Sequence, residues 1–199
     1  MKNVIKLIRK SIVLVTVFST ILSHASEVST FFYKEDLKGN VSVTIDHVKQ
    51  GNLLTIQDDY GTILFKEIIS NSGTYTKGFD LTSLPDGDYF FEIEKDLEID
   101  TIPFTVEASE VTFHKEKGTV VFKPYVRKKN DLILISKLSP NEEALHINVY
   151  DETSNASELV YSEEIKGIQN IERTYKLRKG KYKLVFNFSD REITKFINN

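Results

Sequence analysis

The chain has no cysteine and no tryptophan, one methionine and four prolines among its 199 residues. Without thiols it can build no disulfide framework, thiolate zinc site, iron–sulfur cluster or cysteine nucleophile, and no lipidated N-terminal cysteine. The missing tryptophan removes the largest platform for stacking sugars, although 9 Tyr and 13 Phe remain. Neither sign of charge dominates, with 26 basic side chains against 29 acidic ones. At 40% hydrophobic and 28% charged, the composition is too apolar for a disordered chain and too polar for a multi-span membrane protein. One or two globular domains are left.

The first 25 residues read as a signal peptide. Lys2, Lys6, Arg9 and Lys10 form a positive start, an apolar stretch from Ser11 to Leu22 follows with Ile12-Val13-Leu14-Val15 inside it, and Ser23-His24-Ala25 supplies small residues for a peptidase, so cleavage is expected after Ala25. The other reading, an uncleaved anchor, asks an apolar core of about twelve residues to do what roughly 20 are needed for. No other segment has the length of a membrane-spanning helix. Cleavage would remove four of the 26 basic residues and none of the 29 acidic ones, giving a mature chain of 22 against 29, or −7. Such a chain lacks the clustered basic face that nucleic acid requires. Export places the protein in the periplasm, at the cell envelope or outside, where a chain with a real core needs no disulfides.

From Glu27 onward, hydrophobicity alternates with period two. Val41-Ser42-Val43-Thr44-Ile45 and Leu54-Thr55-Ile56 alternate apolar with small polar residues, while Tyr89, Phe91 and Ile93 share one face of a strand and Phe90, Glu92 and Glu94 the other. Turn chemistry punctuates the runs at Gln50-Gly51-Asn52, Asp59-Tyr60-Gly61, Asn71-Ser72-Gly73, Pro85-Asp86-Gly87, Lys117-Gly118, Ser139-Pro140-Asn141 and Lys179-Gly180. The expectation is an all-β chain of antiparallel sandwiches.

The pattern occurs twice. Leu84-Pro85-Asp86-Gly87-Asp88-Tyr89 and Leu177-Arg178-Lys179-Gly180-Lys181-Tyr182 both fit Leu-x-x-Gly-x-Tyr followed by a strand. Upstream, Leu54 to Asp58 and Ile63 to Glu67 correspond to His146 to Asp151 and Leu159 to Glu163; downstream, Ile99 to Val106 and Ile193 to Ile197 each supply a last strand. Two modules are expected, residues 27–110 and 111–199, joined near Glu107 to Lys117. In immunoglobulin-type sandwiches a Tyr at the start of the penultimate strand turns its hydroxyl back to the preceding turn, a tyrosine corner. Tyr89 and Tyr182 are assigned that role, with Gly87 and Gly180 permitting a tight backbone and Leu84 and Leu177 closing the core beneath.

The run Ile56 to Leu64 followed by Phe79 to Tyr89 resembles the small immunoglobulin-like modules of secreted bacterial proteins, including the C-terminal sorting domains of type IX secretion cargo. The resemblance covers most of residues 41–106 and, more loosely, 145–197. It implies two tandem immunoglobulin-like sandwiches in an extracytoplasmic compartment, and a sorting role for the second. Where those domains carry an Asp-x-x-Gly turn, this chain has Asp151-Glu152-Thr153-Ser154.

Groups for catalysis are scattered. His47, His114 and His146 lie in different strands or connections, without the spacing that aims two imidazoles at one ion. No Gly-x-Ser-x-Gly elbow, phosphate-cradling loop or dinucleotide fingerprint is present. Asp96, Glu98 and Asp100 alternate, and Asp58-Asp59 and Asp86-Asp88 lie in turns; these carboxylates could offer calcium hard oxygen ligands or simply guard a solvated edge. Arg127-Lys128-Lys129 and Arg178 to Lys183 are basic clusters at turns. The sequence is therefore read as an exported, non-catalytic interaction or structural module, without cofactor or resident metal, whose partner is a protein or cell surface. A carbohydrate- or ligand-binding sandwich is the second reading, and it requires an exposed row of Tyr or Phe on one sheet.

Overall fold

The structure, a computed structural model, describes residues 13–14, 31–35 and 40–199 except 155. Of the expected signal segment only strand β1 (Val13–Leu14) falls within it, and the expected cleavage point at Ala25 lies outside the described residues. The described residues form strands, turns and two short 3-10 turns, with no α-helix among them. The chain divides into two compact units, one over residues 22–121 and the other comprising residues 122–199 together with β1.

In the first unit, β2 (Phe31–Glu35), β3 (Val41–Val48) and β6 (Gly73–Phe79) form one sheet in the order β2-β3-β6. The second sheet contains β4 (Leu53–Asp58), β5 (Ile63–Ile68), β7 (Gly87–Glu94) and β8 (Glu98–Glu107) in the order β8-β7-β4-β5. It is extended at β8 by β9 (Glu110–Phe113) and β10 (Thr119–Phe122). The unit therefore ends at Val121 rather than at residue 110. The expected linker instead carries a strand whose Phe113 packs on Phe91 and Phe104, at ring-centroid distances of 6.0 and 5.3 Å.

The second unit repeats the plan. β11 (Tyr125–Lys129), β12 (Leu132–Leu138) and β15 (Asn170–Lys176) form one sheet. β13 (Leu145–Asp151), β14 (Glu158–Ile165), β16 (Lys181–Phe188) and β17 (Arg191–Asn198) form the other, in the order β14-β13-β16-β17. First, second and fifth strands on one sheet, with third, fourth, sixth and seventh on the other, is the strand order of an immunoglobulin-like sandwich. The chain is all-β and antiparallel, as the alternation requires.

The alternating residues meet where period two places them. Val41, Val43 and Ile45 of β3 face Leu54 and Ile56 of β4, Tyr89, Phe91 and Ile93 of β7, and Ile102, Phe104 and Val106 of β8 in one buried cluster. Phe91 is its hub, with Phe31 and Phe79 of the opposing sheet at 5.8 and 5.3 Å. In the second unit Ile133, Ile135, Leu145, Ile147, Val149, Tyr175, Leu184 and Phe186 are buried in the corresponding way. Burying such side chains contributes about 1.5–3 kcal/mol each.

Two details recur beyond strand order. Pairing of β4 with β5 shifts register after Ile56, and pairing of β13 with β14 shifts after Val149, so each fourth strand carries a bulge, at Leu64 and at Val160. Beyond the bulge an acid–base pair ties the two sheets together. Lys77 of β6 bonds Glu67 of β5, beside Phe65 and Phe79 packed edge to face at 5.1 Å. In the second unit Arg173 of β15 donates to Glu163 of β14 at 3.0 Å, beside Tyr161 and Tyr175 at 5.4 Å. The Tyr175 hydroxyl also donates to Glu163. Burial, then the bond to Glu163, pushes the Tyr175 phenol far above its ordinary value, so it stays a donor.

These pairs differ in exposure: 38% and 34% for Lys77 and Glu67, against 21% and 15% for Arg173 and Glu163. Arg173→Met would leave a mostly buried carboxylate without its cation, and is expected to cost about 2–3 kcal/mol in urea unfolding of the second unit. Lys77→Met is expected to cost under about 1 kcal/mol. Equal costs would show that burial does not set the strength of the clamp.

Candidate functional site

The Tyr89 hydroxyl donates to the Pro85 carbonyl at 2.7 Å, the geometry of a tyrosine corner. Tyr182 occupies the same register position: Asp58 opposes Tyr89 across β4 and β7, and Asp151 opposes Tyr182 across β13 and β16. Leu84 packs against the first core and Leu177 is buried. The glycines serve differently from the sequence expectation, since neither Gly87 nor Gly180 has a positive φ. A Cβ at Gly180 would stand 2.5 Å from Thr153 Oγ1, so close approach of a neighbouring loop is the constraint there; at Gly87 it would make ordinary 3.6 Å contact with the Tyr89 ring.

The acidic turns are occupied by protein donors. Asp58 Oδ1 accepts from the amides of Tyr60 and Thr62 at 3.0 and 2.7 Å, Asp86 from the amide of Ala108 at 3.0 Å, and Asp88 from the Thr105 hydroxyl at 2.7 Å. Lys95 bonds both Glu98, at 2.7 Å, and Asp100, while Asp96 faces Lys49 at 3.4 Å. Among the described residues no group of three or more His, Asp and Glu is arranged to hold a metal ion. Of the described histidines, His114 lies against Thr105, His146 near Glu164, and His47 near the end of β3.

A buried polar cluster escaped the sequence reading. Lys137 follows Ile133 and Ile135 on the inner face of β12, at the register position that Ile45 fills in the first unit. Its ammonium bonds the Leu138 carbonyl at 3.0 Å, approaches Ser139 Oγ at 3.4 Å and lies 5.1 Å from the Phe188 ring centroid. Ser139, fully buried, donates to Glu143. A serine beside a lysine suggests a nucleophile, but this hydroxyl is buried and donates its hydrogen bond to a carboxylate rather than to the lysine. Burial lowers the Lys137 pKa, with Glu143 opposing, and the Ser139 hydroxyl holds the Glu143 carboxyl below its ordinary value.

The surface differs. Register places Leu159 opposite Tyr150, Tyr150 opposite Lys183, and Lys183 opposite Phe196, so the four lie on one rung across β14, β13, β16 and β17. Tyr182, Leu184 and Phe186 point inward, so this rung is on the outer face. Phe196 is 76% exposed and Leu159 51%. The Lys183 ammonium sits 4.6 Å from the Tyr150 ring centroid and 3.4 Å from Glu152, covering one face of that ring. At one end of the rung an open hollow of about 320 Å³ is lined by Glu152, Lys181, Tyr182, Phe196, Ile197 and Asn198. The next rung, Ser162, Asn148, Val185 and Thr194, is mostly polar. Alternation of Lys183 with Leu184 and of Tyr150 with Val149 could have identified the outward residues; the cross-strand register that unites them could not be read.

No family model matches the sequence, and no curated protein matches it. Among solved structures, the chain is similar to the FN1–FN3 domains of chicken CNTN1 at 10% identity, over 86% of this chain and 67% of that one, with a TM-score of 0.26. That likeness is too loose to carry an argument, and the immunoglobulin-like fold rests on strand order and core. No helix among the described residues is long and apolar enough to cross a membrane.

Removing the Tyr89 hydroxyl as Tyr89→Phe is expected to cost about 1 kcal/mol in thermal or urea unfolding of the first unit; an unchanged midpoint would deny the corner a structural role. The second test uses pH. With its folded pKa depressed, Glu143 contributes stability fully above its unfolded value of 4.5 and loses it as pH falls through the folded value. Glu143→Gln should lower stability of the second unit at neutral pH by about 2 kcal/mol and flatten its decline below pH 4.5. A variant that keeps the parent's acid slope would place that slope elsewhere.

Proposed function

We propose that the protein is an exported, non-catalytic binding module whose partner-facing surface is the outer face of the second sandwich. The observation that carries this is the Leu159–Tyr150–Lys183–Phe196 rung, where a largely exposed phenylalanine and leucine flank a lysine on an otherwise polar sheet. Binding surfaces are enriched in aromatics, and a phenylalanine this exposed leaves most of its ring available to a partner. Two modules, the second resembling the first in strand order, bulge, clamp and corner position, support an origin by internal duplication. The six residues Leu84, Gly87, Tyr89, Leu177, Gly180 and Tyr182 belong to the frame rather than to the contact surface. Export through residues 1–25 is part of the reading, and a sorting role for the second module stays an expectation of the resemblance alone.

A protein partner is favoured over a sugar. A sugar platform needs several free ring faces, whereas on this rung Lys183 covers a face of Tyr150 and leaves Phe196 as the exposed ring. The remaining exposed aromatics, Tyr33, Tyr60 and Tyr125, lie on β2, in the turn between β4 and β5, and on β11. Tyr125 is thus on the opposite sheet of the same sandwich, and Tyr33 and Tyr60 belong to the other unit.

The test places a photoreactive phenylalanine analogue at position 196 and, separately, at position 127 on exposed β11. Exposed to the extracytoplasmic fraction of the source cells, the 196 probe should give one discrete adduct that disappears when Leu159→Ser and Lys183→Ser are added. Adducts from both positions alike, or from neither, would overturn the proposal. Shifts at Tyr150, Lys183 and Phe196 on titration with soluble oligosaccharides would transfer the site to the sugar reading.

A further inference from the structure

The sheet β11-β12-β15 has a fourth strand that its own module does not supply. β1 pairs antiparallel with β15, Val13 opposite Lys176 and Leu14 opposite Tyr175. In constant-type immunoglobulin sheets the strand beyond the fifth is a fourth strand of the same domain, completing the order A-B-E-D. Here the second module runs from β14 directly into β15 and spends its fourth strand on the opposite sheet, so the outer edge of β15 has no strand partner among the described residues of 122–199. An open edge displays a row of unpaired amides and carbonyls, a template for any extended segment.

We propose that the edge of β15 is a strand-acceptor site, and that its ligand is an extended, β-branched apolar segment of a partner protein. In the intact chain Val13–Leu14 takes that place, from a stretch whose sequence, Ile12-Val13-Leu14-Val15, has the β-propensity such a ligand requires. Without residues 1–25 the edge is open. This last step uses the export reading for its biological setting, but the chemistry of the site does not depend on it. Recognition is by strand addition: main-chain hydrogen bonds along Thr174 to Lys176 provide affinity, and apolar side chains at alternate positions provide selectivity. The β15 backbone is well placed for this because it is held from behind, paired with β12 over Leu132 to Leu138 and anchored by Tyr175 and Arg173 on Glu163. A rigid edge loses little conformational freedom when a strand is added.

The test uses a recombinant chain of residues 26–199, isotopically labelled, and a synthetic peptide with the sequence of residues 11–17, Ser-Ile-Val-Leu-Val-Thr-Val, carrying terminal lysines for solubility. The peptide should shift and protect from exchange the backbone amides of Thr174 to Lys176, leaving the β5, β14 and β17 edges unaffected. The same peptide methylated on alternate backbone nitrogens should bind about tenfold more weakly or worse, since it cannot complete the ladder. Full-length chain, with residues 13–14 already on the edge, should also bind about tenfold more weakly. No protection at β15, protection spread over several edges, equal binding of the methylated peptide, or equal binding by the full-length chain would each overturn the proposal. Because both chains are made directly, the result stands whether or not cells cleave at Ala25, and the Phe196 crosslink reports on a different face.

Discussion

The bulge between the third and fourth strands of each unit determines both how the sandwich closes and what it shows to solvent. Up to the bulge, Phe65 opposes Ile56 and Tyr161 opposes Val149, so an aromatic ring is delivered to the inner side of the sheet. One extra residue, Leu64 or Val160, then reverses the alternation. Ile63 comes to oppose Gln57 and Leu159 to oppose Tyr150, both on the outer side. A regular strand would have turned these aliphatic residues to the other face. Bulges commonly re-aim a side chain in this way. Here the same device gives the second unit its apolar rung and gives both units the ring that meets the fifth strand.

What the bulge delivers inward is fastened by charge. Glu67 and Glu163 lie two residues beyond the ring on the same side, where Lys77 and Arg173 reach them from the opposing sheet. Two sheets related only by apolar packing can slide by a strand spacing; an acid–base pair beside an aromatic pair resists that. The units diverge in how they use this frame. The first covers its seventh strand with β9 and keeps the inner face of β3 apolar at Val41, Val43 and Ile45. The second leaves β17 as an edge and admits a lysine where the first has Ile45, at the cost of a Ser139–Glu143 network to solvate it. Buried charge of this kind weakens a core unless its partners are complete.

Much of this was legible in the residues. Period two identified the inward face of β7 as Tyr89, Phe91 and Ile93, and those three are buried. The paired motifs at Leu84 to Tyr89 and Leu177 to Tyr182 fall at equivalent register. Ile63-Leu64-Phe65 and Leu159-Val160-Tyr161 carried the bulge signal, since three consecutive apolar residues do not fit the alternation of a half-buried strand. They align with each other, yet alignment does not say which of the three is the extra one. Lys137 was invisible for a different reason: alternation placed it inward, but charge argues for the surface, and only tertiary partners decide between them. Strand β9 was read as part of a linker, and β10 was assigned to the second module, because four-residue runs beside Gly118 and charged neighbours have no pattern long enough to place them.

The distribution of hydrogen-bonding groups bears on what kind of recognition the second unit can support. Several carboxylates in the acidic turns hold amides, hydroxyls or ammonium groups of the same chain, and the buried Ser139 hydroxyl donates to Glu143. A polar group already satisfied internally gains little by exchanging that bond for one to a partner, because the exchange leaves the first donor or acceptor unpaired. Two kinds of group are better suited to association: apolar side chains turned outward by the bulge, and the main-chain groups of the β15 edge once Val13–Leu14 is off it. Neither depends on net charge, so association through them should respond weakly to salt, unlike contacts made by exposed ion pairs. Both are also held on regular strands rather than on loops, which keeps the contacting groups ordered before a partner arrives. A sandwich with its charges turned on itself thus offers surface and edge, the chemistry that the proposed docking role would use.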